Sequence, residues 1–509
     1  MMDGDSCNIS TDRDIGACGG CRDDASGPLR SSGPDLSPAA ENEALMSQPP
    51  FPPRNGQLMP NGRARPGAPA GARSASLAPQ PRYVDYGNPR AYDTSVRPAT
   101  GLTASRYAPA QLQRPDRVQP QSAWSTQMRR VQEVSQEATK PPTVSLLVWL
   151  TAVVLGFGLV VVLGLTFLSF IVTSSANPAW WTVTAFLALI SLIVIALVIL
   201  LADRWDPQPF PLLGIAILWG AAVAAFVSYL LNTGVSLLTY SLTGSNGLVE
   251  FIGPVISAPL VEETSKGLGL LLLMLLARRY FNGPLDGLIY GALIGGGFAF
   301  TENILYYARG LEDGGGVGVV VLFVMRGVLN IFGHAIYTSA TGILVGFVVR
   351  KWGTGMGFLV FIPALIPGML LHGLWNLFAT LGGGLPFMLV LFGGEALLSL
   401  VWLILIMVLI WDESRLTRVR LGDYANLGWL THEEVDMLAT WKGRREGKRW
   451  AAQIGAKPVM KRFIRESADL ASIRQRLLAD GAHPKVVGIE ANLLARLTQN
   501  RRELLSHAG

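Results

Sequence analysis

Residues 179–202 read AWWTVTAFLALISLIVIALVILLA, an uninterrupted run without a charged side chain. About 20 apolar residues in a helix are enough to cross the ~30 Å hydrocarbon core of a bilayer. Similar runs recur between residues 143 and 411, and we interpret them as about eight transmembrane helices. The predicted spans are 143–173, 179–202, 211–232, 247–276, 285–308, 326–349, 356–381 and 387–411. The sequence therefore predicts an all-α polytopic membrane protein in the lipid bilayer of the cell membrane.

The composition of the whole chain excludes an ordinary soluble enzyme. Of its 509 residues, 50% are hydrophobic and only 15% are charged, and the mean hydropathy is +0.36. Soluble domains carry about 25% charged residues. We find no nucleic-acid-binding module, and the three glycines 295–297 follow no predicted strand, so they do not indicate a nucleotide site. We therefore expect neither nucleic acid nor nucleotide as a partner.

Two tails flank the membrane region. Residues 1–142 hold 19 of the 31 prolines and all three cysteines, a composition that cannot offset the entropy of ordering, so we expect a disordered Pro/Arg-rich cytoplasmic tail. Residues 412–509 carry 18 Lys/Arg against 12 Asp/Glu, with apolar residues at helical spacing, which predicts a small basic helical cytoplasmic domain. Within it, Thr431 and Glu434 indicate a capping box, and the stretch 481–484 separates two helices.

Lysine and arginine in the connections between spans indicate the orientation of the chain. Basic residues precede the first span and follow the second, fourth, sixth and eighth spans, whereas the alternate connections are neutral or also contain acids. Connections rich in Lys and Arg stay on the cytoplasmic side of a membrane. We therefore expect both termini to be cytoplasmic.

Polar residues inside the later spans are the functional candidates, because ionisable side chains at bilayer depth are costly. In chain order they are Glu262, Glu263 and Lys266 in the fourth span, Phe298, Glu302 and Asn303 in the fifth, Arg326, Asn330, His334 and Thr338 in the sixth, and His372 and Asn376 in the seventh. The sixth-span residues recur every four positions, which predicts one stripe on one helix face. The first three spans carry no comparable group and are expected to act as scaffold.

Four of these residues are predicted to share one depth in the membrane. Counting about 1.5 Å per residue from the cytoplasmic end of each span puts Glu263, Glu302, His334 and His372 at roughly 20, 25, 22 and 24 Å. A lone histidine bonded to a neighbouring helix is the simpler explanation for any one of them, but it does not account for the shared depth. The pattern predicts a polar chamber beyond the midplane, open toward the non-cytoplasmic face.

Two histidines and nearby carboxylates match the chemistry of a catalytic zinc site with three protein ligands, an open position and a glutamate base. We interpret His334, His372 and Glu302 as the ligands. Successive helix positions lie about 100° apart, so one of Glu262 and Glu263 can act as the base while the other pairs with Lys266. The sequence thus predicts zinc as the cofactor.

These motifs resemble the PrsW family of intramembrane proteases, relatives of the CAAX prenyl-protease group. The residues that carry the resemblance are Glu262-Glu263-x-x-Lys266, Phe298-x-x-x-Glu302, His334-x-x-x-Thr338 and His372-x-x-x-Asn376, within about residues 200 to 411. The resemblance implies a metal-dependent protease domain at 143–411 that cuts a membrane-anchored protein, such as an anti-sigma factor at the first step of a signalling cascade. It also implies a catalytic role for Asn376, which stands where the family pattern commonly has Asp, and favours Glu262 as the base.

Two alternatives stay open at this stage. The CAAX relatives also suggest a glutamate-driven mechanism without metal, in which the histidines and Asn376 stabilise an oxyanion. A different class of function, an ion- or proton-coupled transporter, would use the same polar cluster. Transporter helices are often broken near the midplane, and Pro363 and Pro367 interrupt the seventh span, although the chain shows no internal repeat.

Overall fold

The computed structural model describes residues 146–173, 177–481 and 483–508. The predicted tail 1–142 lies outside these residues. Every regular element in the described ranges is a helix, which confirms the all-α prediction. The first helices are α1 (Leu146–Thr173), α2 (Ala179–Ala202), α3 (Phe210–Leu218), α4 (Ala225–Thr243), α5 (Asn246–Ile252) and α6 (Ala258–Leu276). Short π-helical turns, Trp219–Ala224 and Gly253–Ser257, join α3 to α4 and α5 to α6.

The second part of the membrane region contains the longest helices. They are α7 (Pro284–Leu322), α8 (Gly333–Trp352), α9 (Thr354–Leu359), α10 (Phe361–Leu381) and α11 (Gly384–Asn426), with a third π-helical turn, Phe323–Leu329, between α7 and α8. Six helical stretches among the described residues are long and apolar enough to cross a membrane. This finding supports a multi-pass protein but does not establish the predicted count of eight. One stretch, 284–352, contains both α7 and α8, and the three charged residues of α6 keep 246–276 out of the set.

The predicted continuous sixth span, and with it the single stripe of polar residues, is wrong. Helix α7 continues well past residue 308 and turns at Gly315, whose φ of 59° lies in the left-handed region that glycine tolerates. The helical chain breaks again at Asn330, with φ −114° and ψ 34°. Arg326 therefore lies in a π-helical turn before this break, and His334 lies in the first turn of α8. The two side chains do not share one helix face, and both instead reach Glu302 of α7.

Small residues allow α7 and α8 to pack backbone against backbone. Gly287 lies against the backbone of Gly342, and a Cβ on Gly291 would come within 2.8 Å of the Thr338 carbonyl oxygen. One turn further along α7, Gly295 lies against the backbone of His334. Glycines four residues apart permit such close approach between membrane helices. The interface brings the start of α8 against the middle of α7.

The C-terminal residues form a group of helices that follows the end of α11. They are α12 (His432–Leu438), α13 (Trp441–Gln453), α14 (Lys457–Asp480) and α15 (Pro484–Ser506). The capping box of Thr431 and Glu434 is present, and the predicted break falls between α14 and α15. Val435, Phe463 and Leu493 are among the residues of their shared apolar core. Because α11 runs through residue 411 without interruption, the predicted domain boundary lies inside a helix.

Candidate catalytic and metal centre

Four helices contribute charged or imidazole side chains to one buried cluster. Helix α6 supplies both adjacent glutamates and Lys266, α7 supplies Glu302, α8 supplies His334 and α10 supplies His372. Lys266 is 0% exposed, and Glu263 is 1% exposed. Charged groups withdrawn this far from water must neutralise one another. The geometry of the cluster therefore follows from which partner each charge takes.

Both carboxylate oxygens of Glu263 form hydrogen bonds within the cluster. Its Oε1 accepts from Lys266 Nζ at 2.7 Å and lies 3.0 Å from His372 Nδ1. Its Oε2 accepts from the Thr338 hydroxyl at 3.0 Å. A carboxylate beside one imidazole nitrogen fixes the tautomer and orients the ring. Glu263 thus turns the other nitrogen of His372 toward Glu262, whose Oε2 is 3.9 Å from His372 Nε2.

His334 is held from both sides. Its Nε2 lies 2.8 Å from Glu302 Oε2, and its Nδ1 lies 3.1 Å from Lys266 Nζ. An ammonium can only donate, so Nδ1 accepts and the Nε2 hydrogen is donated to Glu302. The same Glu302 oxygen accepts from Arg326 Nη2 at 2.6 Å, and Arg326 Nε donates to Asn303 Oδ1 at 2.9 Å.

Glu262 differs from the other two carboxylates because one of its oxygens is both buried and without a hydrogen-bond partner. Oε1 accepts from Asn232 Nδ2 at 3.3 Å, whereas the buried Oε2 has no hydrogen-bond partner and is 3.7 Å from Lys266 Nζ. Buried polar atoms without partners are rare and point to an absent ligand or ion. Glu262, His334 and His372 each present one donor atom, and these three atoms lie within 4.8 Å of one another.

Aromatic rings form the walls of the cluster. The Phe298 ring lies 4.0 Å from Lys266 Nζ, a cation–π contact, and its centroid is 5.3 Å from that of His334. Tyr337 stacks on His372 at 5.2 Å with an 18° interplanar angle. These contacts fix both imidazole rings and the ammonium without supplying another charge.

Asn376 and Asn330, both singled out from the sequence, form no hydrogen bond to the donor atoms of Glu262, His334 and His372 among the described residues. Asn376 Nδ2 donates to the Pro254 carbonyl in the π-helical turn before α6, at 2.8 Å. Asn330 Oδ1 is buried without a hydrogen-bond partner, at the break before α8.

Asn232 also belongs to the centre, and it is not among the residues predicted from the sequence. Asn232, from a span expected to be scaffold, holds Glu262 and in turn accepts from Ser257 Oγ at 2.8 Å. The only available signal was a lone amide in an apolar run.

Comparison with known proteins agrees with this geometry. The model of the PrsW family of intramembrane metalloproteases matches residues 208–410, nearly the range over which the motifs resemble that family. Neither a curated protein nor a solved structure matches the chain significantly. The matched segment contains every charged and imidazole side chain of the buried cluster. The match supports a PrsW-family intramembrane metalloprotease domain within residues 208–410, and with it a peptidase activity.

Proposed function

We propose that the chain is an endopeptidase that cleaves a membrane-anchored protein substrate and that Glu262, His334 and His372 hold a catalytic zinc ion. The observation that supports this most directly is the convergence of their three donor atoms around a buried, unpartnered Glu262 oxygen. An anti-sigma factor, cut at the first step of a signalling cascade, is the substrate class that we carry over from the sequence motifs.

The donor set and the charges of the cluster suit a divalent metal. Two imidazoles and one carboxylate form a typical three-ligand zinc site with an open position. Three carboxylates face two cations, Lys266 and Arg326, which leaves a net negative charge when both histidines are neutral. A cation would reduce that imbalance in a region from which water is largely excluded.

Glu263 and Glu302 act on the ligands without being ligands themselves in this scheme. Glu263 holds His372 through Nδ1, and Glu302 holds His334 through Nε2. The remaining nitrogens, Nε2 of His372 and Nδ1 of His334, are then the donors to the metal. Lys266 must yield its contact with His334 Nδ1, and its ammonium still has Glu263 at 2.7 Å. Outer carboxylates of this type raise metal affinity by about 10- to 100-fold.

When bound, zinc would polarise the scissile carbonyl and make water nucleophilic near neutral pH. The proton released by that water needs an acceptor. Glu302 Oε2 is occupied by Arg326 and His334, but no hydrogen bond to Glu302 Oε1 occurs among the described residues, and the side chain is 18% exposed. We assign the general base to Glu302. This exchanges the roles expected from the sequence, in which Glu302 was a ligand and Glu262 the base.

The alternatives have less support. In the metal-free scheme Asn376 would donate to an oxyanion, yet its amide already donates to the Pro254 carbonyl. The transporter alternative has no observation comparable to the peptidase family match.

The arrangement in the membrane completes the proposal. We retain eight spans with both termini in the cytoplasm, with the domain ranges 1–142, 143–411 and 412–509. The catalytic level then lies toward the non-cytoplasmic face.

Metal content of purified variants tests the assignment of roles. His334→Ala, His372→Ala and Glu262→Gln should contain no zinc by elemental analysis, whereas Glu302→Gln should keep zinc and lose cleavage of a single-span reporter substrate. Glu250→Gln is the matched control, because Glu250 is an exposed glutamate on α5. Zinc retained in Glu262→Gln and lost in Glu302→Gln would restore the roles expected from the sequence. Cleavage by metal-free wild type that is indifferent to chelators would replace the zinc scheme with the glutamate-driven one.

A further inference from the structure

An arginine-lined cavity lies on the cytoplasmic side, away from the catalytic cluster. Its volume is about 260 Å³. One wall is formed by the connections between α2 and α3 and between α6 and α7, and the opposite wall by α14 and α15. Typical small-molecule pockets occupy about 300–1,000 Å³, so this cavity fits a headgroup-sized ligand.

Four arginines line the cavity, and two of them lack an acidic partner. Arg462 pairs with Glu503 at 2.9 Å, and Arg496 pairs with Glu466 at 3.5 Å. Arg279 and Arg465 have no carboxylate within ion-pair distance in the described part of the chain. Arg465 reaches only the Pro207 carbonyl, at 3.5 Å, and Arg279 lies 5.6 Å from the Tyr280 ring.

Three carboxyl groups, those of Asp206, Glu466 and Asp469, line the cavity beside the four arginines. Burial raises the pKa of Asp206 well above its usual range, and repulsion by Asp469 raises it further. Burial also raises the pKa of Asp469, despite the opposing effect of Arg279, Arg465 and Arg496. The guanidinium groups outnumber the carboxyl groups, so the cavity lining has a net positive charge.

Two polar atoms of the cavity lining, Arg496 Nε and Asn282 Oδ1, are buried without a hydrogen bond. Arg496 Nε lies 3.5 Å from Glu466 Oε1, an ion pair too long for a well-formed hydrogen bond. This nitrogen is a donor that a ligand oxygen would satisfy, whereas Asn282 Oδ1 can only accept.

We infer that this cavity binds a phosphate group, carried either by an anionic phospholipid or by a free phosphorylated ligand. Guanidinium groups pair with phosphate oxygens through two parallel hydrogen bonds. The cavity also lies level with the membrane surface, because α2 ends at Ala202 and α7 begins at Pro284. Phe210, next to the cavity wall, is 79% exposed, as expected for a side chain that faces lipid. Both positions favour access from the headgroup layer.

The test uses full-length protein in nanodiscs and measures the midpoint of thermal unfolding. One set of discs contains phosphatidylcholine alone, a second adds phosphatidylglycerol, and a third contains phosphatidylcholine with inorganic phosphate in the buffer. A rise in the midpoint only with phosphatidylglycerol identifies a lipid headgroup, and a rise with inorganic phosphate identifies a free ligand. No rise in either case overturns the inference.

Charge-matched variants separate the cavity from general attraction to anionic lipid. Arg279→Gln/Arg465→Gln should abolish the rise, whereas Arg445→Gln/Arg502→Gln, which loses two exposed arginines outside the cavity, should keep it. Equal loss in both double variants would contradict a specific site. The double variant Arg279→Lys/Arg465→Lys keeps both positive charges, so it is a control for misfolding caused by loss of charge. It should weaken binding at least tenfold, because lysine lacks the paired donors, and unchanged binding would also overturn the inference.

Discussion

Replacing Lys266 with methionine tests whether this ammonium stabilises the catalytic cluster electrostatically. The side chain is fully buried, and its Nζ is 2.7 Å from Glu263 and 3.7 Å from Glu262. At an effective dielectric constant of about 20, the Coulomb attraction at 2.7 Å is about 6 kcal/mol, part of which offsets the desolvation of both groups. Methionine fills a similar volume but leaves Glu263 without its cation. We expect the free energy of unfolding to fall by about 3–5 kcal/mol.

A double-mutant cycle distinguishes lost charge pairing from lost packing. Glu263→Gln removes the charge and keeps one oxygen, which can accept from either Thr338 or His372. In Lys266→Met/Glu263→Gln no uncompensated charge remains at this pair, so the combined loss should be smaller than the sum of the single losses by about 2 kcal/mol or more. Unfolding in mixed micelles titrated with sodium dodecyl sulfate gives the four free energies. Lys442→Met, at an exposed position, should change stability by less than about 0.5 kcal/mol.

Two results would refute this reasoning. Strictly additive losses would show that Lys266 acts through packing alone. A single variant as stable as wild type would show that the neighbouring carboxylates are neutral without it. Where Lys266→Met still folds, it should retain bound metal, because an ammonium is not a ligand, and it should lose cleavage activity.

Three further predictions concern topology, pH and the C-terminal helices. Reporter fusions after Gly244 should score as external and fusions at Gly353 as internal, and either one on the wrong side contradicts the eight-span arrangement. Burial raises the pKa of Asp203 from 3.8 to about 7, so the folded state binds the extra proton and stability falls as pH rises from about 4 to 7. In thermal unfolding, Asp203→Asn should match wild type at pH 4 and exceed it at pH 8. Asp480 accepts from Thr354 N at 2.7 Å, so Asp480→Ala should lower the free energy of unfolding by about 0.5–2 kcal/mol, and no change would show that this cap is dispensable.

The sequence predicts those parts of the site whose positions follow from the free-energy cost of burying a charge in a membrane. Lys266 lies three and four residues from the two acids, so helix geometry alone places it beside both, and the structure has it paired with both. The shared depth of His334 and Glu302 was also predictable from rise per residue, and their side chains are 2.8 Å apart.

Local departures from regular helix could not be predicted in the same way. The apolar pattern continues through residue 330, so nothing in it marks the break before α8 or the π-helical turns. The turn at Gly315 depends on a positive φ, which a glycine permits but does not require. Depth along a helix also leaves rotation about its axis uncertain. It placed Glu263 and Glu302 near one level, but it could not indicate that Arg326 pairs with Glu302 or that Asn232 donates to Glu262.

Contacts with α11 and α14 also hold the two helices that carry His334 and His372. Arg350, 16 residues after His334 and about 24 Å away along α8, pairs with Asp412 and Glu413 in the second half of α11. Helix α10 carries His372. The short connection from α8 to α10 begins at Thr354, whose backbone N–H and hydroxyl donate to Asp480 at the end of α14.

Catalytic side chains tolerate displacements of only about 0.5 Å, so we expect the positions of both imidazoles to depend on the docking of the C-terminal helices. Loss of activity after removal of residues 432–508 would therefore follow from misplaced histidines. It would not by itself show that those helices contact the substrate.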